Sequence, residues 1–262
     1  MGKLNKDSNS YTIIYTAVMI IIVAVALAFT SQALKKPQQA NERIDKMQQI
    51  LRSLKQNPAD KADVIDAYQS IIKREMLIND KGEIVESFDG NELGNSEVFK
   101  MNTKNQYEYY RKDKDHTTPL PLYEAVVDGT PAYVIPLNGV GLWGDIWGYI
   151  AIENDGYTVL GIDFSHASET PGLGAEIAHE PFSNQFNGKH IGTPETGVVG
   201  IAVVKKGRKA EGMEYVDGVT GGTLTSNGVN DMLRDCLAPY KAFLGKVANG
   251  EVSANSDNEA IN

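Results

Sequence analysis

The longest apolar stretch of the chain lies near its N-terminus. No charged residue occurs from Ser8 to Leu34, and the centre of this stretch, Ile13 to Phe29, is almost entirely aliphatic. At about 1.5 Å per helical residue, some 20 residues cross a hydrocarbon core of about 30 Å. The pattern therefore predicts a transmembrane helix over residues 11–34, preceded by a short tail of residues 1–10. A cleaved signal peptide is the alternative, and Ala26-Leu27-Ala28 is a weak match to its cleavage site.

Two more helices are predicted at the start of the following region, residues 35–120. Apolar residues recur at helical spacing from Asn41 to Asn57, and Pro58 ends that pattern. A second stripe of the same kind runs from about Ala59 to Arg74. Spacings of three and four residues place such side chains on one face of a helix. We therefore expect two amphipathic helices that are separate from the apolar segment, with contacts that the sequence does not reveal.

The rest of this region changes from an apolar pattern to a polar one. Met76–Ile78 and Ile84–Val85 flank Asp80-Lys81-Gly82, and short apolar runs around a glycine-containing turn are typical of a β-hairpin. Residues 91–116 are mostly polar, and we interpret them as irregular or as an insertion. The tyrosines of this polar stretch are Tyr107, Tyr109 and Tyr110.

Short apolar runs separated by tight turns dominate the chain after Pro121. The runs are Tyr123–Val127, Ala132–Leu137, Tyr149–Glu153 and Val159–Phe164. Asp128-Gly129-Thr130 and Asn154-Asp155-Gly156 have the composition of tight turns, whereas Asn138–Gly148 is a longer, glycine-rich connection. Successive short strands joined in this way indicate an antiparallel sheet.

The last part of the chain adds helices to this sheet. The pattern predicts a short helix around Ala175–Ala178, a strand over Val198–Val204 and an amphipathic helix from Val229 to Leu244. Residues 248–262 are polar and are expected to form a C-terminal tail. The fold class is therefore α+β, with one transmembrane helix, the region 35–120, and an antiparallel-sheet domain with flanking helices over residues 121–247.

Composition narrows the possible functions. The 25 Lys and Arg residues are outnumbered by 34 Asp and Glu residues, which gives a formal net charge of -9. We predict no nucleic-acid partner, because such binding needs a basic surface to displace counterions. The single cysteine, Cys236, excludes an internal disulfide and a cysteine-built metal site. The sequence has neither a complete set of metal-ligand spacings nor a Gly-x-Ser-x-Gly motif, so we predict no metal and no catalytic residue.

A glycine- and hydroxyl-rich stretch, Asp217–Gly228, lies immediately before the last amphipathic helix. Its glycines permit positive φ and close approach of another group to the backbone. The free N–H groups and the dipole at a helix N-terminus favour a phosphate. The same residue types also form ordinary turns with a helix N-cap, and Thr225 is the candidate for that cap. Local physics leaves both interpretations open.

The segment Asp217-Gly218-Val219-Thr220-Gly221-Gly222-Thr223 resembles the flavinylation motif Asp-x-x-Ser/Thr-Gly-Ala-Thr of the FMN-binding domain family. Gly222 stands where alanine is usual, which is a small-for-small exchange. In that family the last threonine carries FMN through a phosphoester bond, and the matching residue is Thr223. The resemblance implies a covalent FMN at this turn. The other cofactor-binding residues that it implies here are Thr220, Gly221, Gly222, Leu224 and Thr225.

A second stretch, His166–Gly174, resembles the signature His-x-x-Glu-Thr-Pro-Gly-Leu-Gly of the same family. Taken alone, its His and Glu are suitable for a metal or acid–base pair, but His166 is equally suitable as an ordinary surface or strand-end residue. The role of His166 stays open. In the family this segment borders the flavin ring. The cofactor-binding residues implied are Glu169, Thr170, Leu173 and Gly174.

A third stretch, Asn138–Gly144, is similar to the family's Gly-x-Gly-Leu-Trp segment. The resemblance implies that Leu142 and Trp143 pack beside the flavin ring, whereas tryptophan in a glycine-rich loop is otherwise a common core anchor. Lys205 follows a predicted buried strand and is either a solvated turn residue or, by resemblance, a positive charge near the flavin. Such a charge would stabilise negative charge on the reduced ring.

Together, the three motifs and the preceding apolar helix resemble the C subunit of the sodium-translocating NADH:quinone oxidoreductases. The resemblance implies an electron carrier with five partner subunits and a flavin transferase that attaches FMN during maturation. It also implies a single-pass protein of the bacterial inner membrane whose soluble domain is periplasmic. Charge alone does not give this orientation, because basic residues flank the apolar segment on both sides. The alternatives are the G subunit of the Rnf-type ferredoxin:NAD oxidoreductase and a membrane-anchored binding or structural module without a redox role.

Overall fold

The computed structural model describes residues 9–252. Its first element is one continuous helix, α1 (Asn9–Ser53), which passes through Pro37. The predicted helix end at residue 34 and the separate helix from Asn41 are therefore wrong. Pro37 removes only one backbone donor, and the Lys, Gln, Ala, Glu and Arg residues around it favour a helix. The apolar part of α1 has the length and composition to cross a membrane and is unburied. Residues 1–8 of the predicted N-terminal tail lie outside the described residues.

The chain divides into two compact units at Asp45, within α1. In the second unit, the C-terminal end of α1 is followed by α2 (Lys61–Ile71) and by strand β1 (Ile72–Ile78). The prediction that the second helix extends to Arg74 is wrong, because Ile72 already has extended backbone angles and pairs with Ala125 of the neighbouring strand. The last turn of α1 is buried in this unit through Met47, Ile50 and Leu51.

A six-stranded sheet with the order β2-β1-β3-β4-β5-β6 forms the centre of the second unit. The remaining strands of this sheet are β2 (Ile84–Phe88), β3 (Leu120–Val127), β4 (Thr130–Val140), β5 (Asp145–Glu153) and β6 (Val159–His166). All neighbouring pairs are antiparallel, which confirms the predicted hairpin and the predicted antiparallel sheet. Much of the glycine-rich connection is itself strand, since β4 and β5 pair up to Val140 and Asp145 and leave a four-residue turn.

The polar stretch before β3 is helical, so its interpretation as irregular is wrong. It contains a 3-10 turn (Gly90–Glu92), α3 (Glu97–Lys100) and α4 (Thr103–Lys112). Ser96 and Asn102 accept hydrogen bonds from the first turns of α3 and α4 and act as their N-caps. The buried side of α4 consists of Tyr107, which donates a hydrogen bond to the carbonyl of Pro136.

Short elements follow β6. They are a 3-10 helix (Gly174–Ala178), α5 (Glu180–Ser183), a 3-10 turn (Asn184–Phe186), and the strands β7 (Gly192–Thr193), β8 (Gly197–Val198), β9 (Ala202–Val204) and β10 (Tyr215–Asp217). The 3-10 helix confirms the short helix predicted after Gly174. The single strand predicted over Val198–Val204 is wrong, because Gly200 has a φ of 91° and separates β8 from β9.

The C-terminal part covers one face of the sheet. It consists of α6 (Thr223–Leu237), a 3-10 turn at Ala238–Tyr240 and α7 (Lys241–Ala248). Pro239 lies at the break between the two helices, where the sequence predicted one continuous helix. Leu122, Ile135 and Ile150 of the sheet pack in the same core cluster as α6 and α7. Residues 253–262 of the predicted tail lie outside the described residues.

The opposite face of the sheet holds the end of α1. Arg52 donates two hydrogen bonds to the carboxylate of Asp163, with donor–acceptor distances of 2.8 and 3.1 Å. Gln49 accepts a hydrogen bond of 3.0 Å from the indole N–H of Trp147. Strands β1 and β2 belong to the same sheet as β3–β6, so the predicted boundary between residues 120 and 121 lies within one compact unit.

Candidate functional site

The three sequence motifs meet at the carboxylate of Glu169. One oxygen, Oε1, accepts a hydrogen bond of 2.8 Å from the backbone N–H of Trp143 in the β4–β5 turn. The other oxygen, Oε2, accepts a hydrogen bond of 2.6 Å from the hydroxyl of Thr225 in α6. Because Glu169 itself follows β6, its carboxylate joins the glycine-rich turn after β4, the loop after β6 and the first turn of α6.

Glu169 is only 4% exposed, yet its surroundings favour the charged form. Burial by itself would raise its pKa, but hydrogen bonds from the Thr225 hydroxyl and from the N–H groups of Trp143 and Leu142, with a smaller contribution from His166, hold that pKa below the ordinary value. Glu169 is therefore a carboxylate at neutral pH, with donors directed at it from two other segments of the chain.

His166 is the last residue of β6 and stabilises the loop that follows. Its ring nitrogen Nδ1 accepts a hydrogen bond of 3.2 Å from the backbone N–H of Glu169. This contact supports the interpretation of His166 as a strand-end residue. Among residues 9–252, no group of three His, Cys, Asp or Glu side chains is arranged to hold a metal ion.

The first turn of α6 differs from the prediction in one respect. Gly222 is the N-cap residue, and its carbonyl accepts a hydrogen bond of 2.8 Å from the N–H of Ser226, so the helix begins at Thr223. Thr225 lies inside the first turn, buried against Glu169. The prediction that Thr225 caps the helix is therefore wrong. Its hydroxyl is directed at a different loop, while Thr223 is exposed on the helix surface.

The loop before α6 is held in place by side chains that sequence reasoning missed. Ser226 Oγ accepts a hydrogen bond from the N–H of Val219, and the Gln185 amide exchanges two hydrogen bonds with the backbone of Asp217. The Gln185 contact joins residues 32 positions apart, so no local pattern could have indicated it. Gly221 within this loop has a φ of 80°, a conformation that favours glycine.

Two cavities flank Thr223. The larger one has a volume of about 340 Å³, and the residues that decide its chemistry are Lys205, Lys206, Thr220, Thr223 and Asn227. The smaller one has a volume of about 150 Å³ and is bordered by Leu142, Glu169, Thr170, Leu173, Gly174, Gly221, Gly222, Thr223, Leu224 and Thr225. The structure therefore brings together all the predicted cofactor-binding residues except Trp143 in the walls of these two cavities. Lys206 belongs to the same walls and was missed.

Large apolar side chains around these cavities point to solvent. Trp143 is 65% exposed, Leu224 is 59% exposed, and Leu142 and Leu173 are nearly half exposed. The alternative that Trp143 anchors the core is therefore wrong. A group of exposed apolar residues beside a polar cavity is typical of a ligand or protein-binding surface. Lys205 is exposed and lines the larger cavity, so its side chain is solvated and borders the same cavity as Thr223.

Comparison with known proteins agrees with this geometry. The FMN-binding domain family matches residues 141–238, which include the Glu169 loop and the first turn of α6. The C subunit of the Na(+)-translocating NADH-quinone reductase from Yersinia pestis is 30% identical over 94% of this chain and 96% of its own length. The chain belongs to this C-subunit family. The resemblance that the motifs indicated is thereby confirmed.

Further members of the family support the assignment. The same subunit from Chlamydia caviae is 31% identical over 76% of this chain and 70% of its own length. The crystal structure of the corresponding subunit from Parabacteroides distasonis is 41% identical, with a TM-score of 0.71 over 80% of this chain and 96% of that chain. An FMN-binding α+β unit that follows an N-terminal apolar helix is therefore the architecture of this family member.

Proposed function

We propose that this protein is the electron-carrying C subunit of a sodium-pumping NADH:quinone oxidoreductase and that it holds FMN covalently on Thr223. The observation that supports the proposal most directly is the exposed Thr223 side chain, which borders both cavities at the start of α6. Thr220 lies before the glycines, and the buried hydroxyl of Thr225 donates a hydrogen bond to Glu169. Among these three threonines, Thr223 combines an exposed hydroxyl with a position at the helix N-terminus.

The residues around the larger cavity are suitable for the phosphate. The first turn of α6 provides free N–H groups and the positive end of the helix dipole. Lys205 and Lys206 add positive charge, and Thr220 and Asn227 add polar groups. In the mature protein the oxygen of Thr223 replaces one phosphate oxygen, so the Thr223 residue and FMN combine with the net loss of one water. A flavin transferase supplies the flavin phosphate in activated form. The Thr223 hydroxyl loses its proton and forms the O–P bond, while the bond between phosphorus and the activating group breaks and that group leaves.

The residues around the smaller cavity are suitable for binding the flavin ring of FMN. Leu142, Trp143, Leu173 and Leu224 offer apolar surface, and Gly174, Gly221 and Gly222 allow close approach to the backbone. FMN, when bound, supplies reversible electron transfer between partner subunits. Around the ring, the protein contributes an apolar environment that limits water and the polar edge of Thr170, while Lys205 adds its positive charge from the side of the larger cavity. Glu169 and Thr225 are directed towards each other, and we assign them to holding the site together.

The remaining parts of the proposal concern location and partners. The apolar segment of α1 anchors the chain once in the bacterial inner membrane, and the FMN domain over residues 121–247 lies on the periplasmic side. Five other subunits surround it in the complex. The length and composition of α1 support an anchor, and membership of the C-subunit family supports a multi-subunit assembly.

Peptide mass spectrometry of the protein purified from cells that contain the flavin transferase tests the proposal. The peptide that contains Thr223 should carry the mass of FMN less one water. A denaturing gel should show a fluorescent band, which Thr223→Ala abolishes. The control Thr130→Val should retain it, because Thr130 is exposed on β4 and lines neither cavity. Flavin mass on Thr220 or Thr225, or a fluorescent band in folded Thr223→Ala protein, would contradict the assignment. A wild-type protein without any attached flavin would favour a structural module instead.

A further inference from the structure

The side chain of Glu169 connects two surfaces that the chain builds from distant segments. The first is the turn of residues 141–144, which exposes Leu142 and Trp143. The second is the first turn of α6, which exposes Thr223 and Leu224. Oε1 of Glu169 accepts from the N–H of Trp143 at 2.8 Å, and Oε2 accepts from the hydroxyl of Thr225 at 2.6 Å.

Two glycines show how closely the backbone surrounds this carboxylate. A Cβ at Gly141 would lie 2.4 Å from Oε1, and a Cβ at Gly174 would lie 2.4 Å from Oε2. The backbone of both segments therefore lies close to the carboxylate. A side chain at either glycine would have to displace the carboxylate from its present place, and at Gly174 it would also meet the Thr225 hydroxyl at 2.4 Å.

The donors explain why a side chain that ends in two polar atoms is needed. Two backbone N–H groups, of Leu142 and Trp143, and one hydroxyl, of Thr225, converge on the same side chain. Loss of the acceptor would leave the buried Thr225 hydroxyl, and the part-buried N–H of Trp143, without this hydrogen bond, and an unpaired buried hydroxyl is costly. A shorter acid would not span the two segments, whereas an amide could still accept from the turn and donate to a Thr225 hydroxyl that reverses its role.

We propose that Glu169 is a positioning residue, which fixes the exposed Leu142–Trp143 turn relative to the Thr223 turn and thereby sets the environment of the flavin ring. The inference rests on the proposed function, because it assumes that the ring lies between these two surfaces. Glu169 acts through the backbone of the turn and through Thr225. The sequence motif suggested a contact with the cofactor instead.

The first test measures the turn itself in protein without flavin. In the Thr223→Ala background, amide hydrogen exchange is followed at Trp143 and in the first turn of α6. Glu169→Ala should accelerate exchange of the Trp143 amide at least tenfold, and Glu169→Gln should retain most of its protection. Glu176→Ala is a matched control, because Glu176 accepts from the N–H of Gly172 within its own loop and has no hydrogen bond to the turn or α6 among residues 9–252. Unchanged exchange in folded Glu169→Ala protein would overturn the proposal.

The second test measures the flavin in the loaded protein. Thr225→Val removes the hydroxyl at nearly constant volume and should shift the midpoint potential and lower the anisotropy of flavin fluorescence, while Thr225→Ser should restore both to wild-type values. A folded Thr225→Val protein with unchanged potential and anisotropy would overturn the proposal even if Glu169→Ala fails to fold. Absence of flavin from the wild-type protein would refute the proposed function alone, since hydrogen exchange still decides whether Glu169 positions the turn.

Discussion

The side chain of Leu173 lies against the backbone of Gly221, so closely that a Cβ at Gly221 would be 2.6 Å from Leu173 Cδ2. Gly221 also has a φ of 80°. The loop after β6 and the loop before α6 therefore touch at a position where only glycine fits. Leu173 in turn remains partly exposed on the wall of the smaller cavity beside Thr223.

From this contact we predict that Gly221→Ala both destabilises the protein and reduces flavin attachment. A left-handed alanine costs roughly 1–2 kcal/mol, and the displaced Leu173 side chain adds to that cost. Chemical denaturation gives the change in the free energy of unfolding, and mass spectrometry gives the fraction of protein that carries FMN. Wild-type attachment in the Gly221→Ala protein would contradict the prediction.

Two other glycines serve as controls for Gly221. Gly212 also has positive φ, 75°, but has no heavy atom within 4 Å of an added Cβ, so Gly212→Ala should show only the backbone cost and retain full attachment. Gly222 has a φ of -106°, and a Cβ there would lie 3.2 Å from Gly174 N and from Val219 Cγ1. Gly222→Ala restores the residue usual in the motif and should change the free energy of unfolding by less than about 1 kcal/mol.

The exposed position of Trp143 leads to a second prediction. Because the side chain is 65% exposed, Trp143→Ala should change the free energy of unfolding by about 0.5 kcal/mol or less. The phosphoester at Thr223 should remain, while the flavin fluorescence and midpoint potential shift because part of the apolar wall is gone. Tyr109→Ala is the matched control, since Tyr109 is 58% exposed on α4 and lines neither cavity beside Thr223. An unchanged potential in Trp143→Ala would show that this side chain does not contact the flavin.

The pKa of Glu169 gives a prediction about pH. Its folded-state pKa lies below the ordinary value of 4.5, so the charged form stabilises the fold above that pH, and this contribution is lost as pH falls through the folded-state pKa. The wild type should therefore lose stability relative to Glu169→Gln when the pH is lowered below about 4.5. Denaturation of both proteins at pH 7 and pH 3 measures the difference. A difference that is independent of pH would contradict the prediction.

Asp163 provides a control, because its pKa is shifted in the opposite direction to that of Glu169. Burial raises the pKa of Asp163 above its ordinary value of 3.8, despite the nearby guanidinium of Arg52. The folded protein therefore loses stability as the pH rises from 3.8 through the folded-state pKa, because the buried carboxyl group must ionise. Relative to Asp163→Asn, the wild type should therefore gain stability as the pH falls towards 3.8, whereas relative to Glu169→Gln it should lose stability as the pH falls below 4.5. The two comparisons together separate a local electrostatic effect from general acid unfolding.

How much of this fold could be predicted depends on how local each signal is. The strands from Tyr123 to Phe164 were predictable because short apolar runs alternate with recognisable turns. Helix α4 was missed because, in the part of the chain that the structure describes, Tyr107 is its only buried residue. A helix with one buried side chain shows no apolar stripe in the sequence. The glycine-rich turn indicated the site. The hydrogen bond between Thr225 and Glu169 spans 56 residues, and only the folded sheet brings its two ends together.

The apolar segment of α1 leads to the last prediction, which concerns membrane topology. Within residues 9–252, α1 is the one helix long and apolar enough to cross a membrane, so the sequences on its two sides should lie on opposite sides of the bilayer. Basic residues on both sides of the segment are nearly balanced and do not decide the orientation. If FMN is attached in the periplasm, the C-terminus must lie there.

Two reporters fused to the C-terminus decide this topology. A reporter that folds only in the periplasm should be active, and one that works only in the cytoplasm should be inactive. Deletion of the apolar residues 13–29 is the control, and it should reverse both results because residues 9–252 contain no other helix that is long and apolar enough to cross a membrane. An active cytoplasmic reporter on the intact chain would place Thr223 on the wrong side for a periplasmic transferase, and the proposed location would then have to be abandoned.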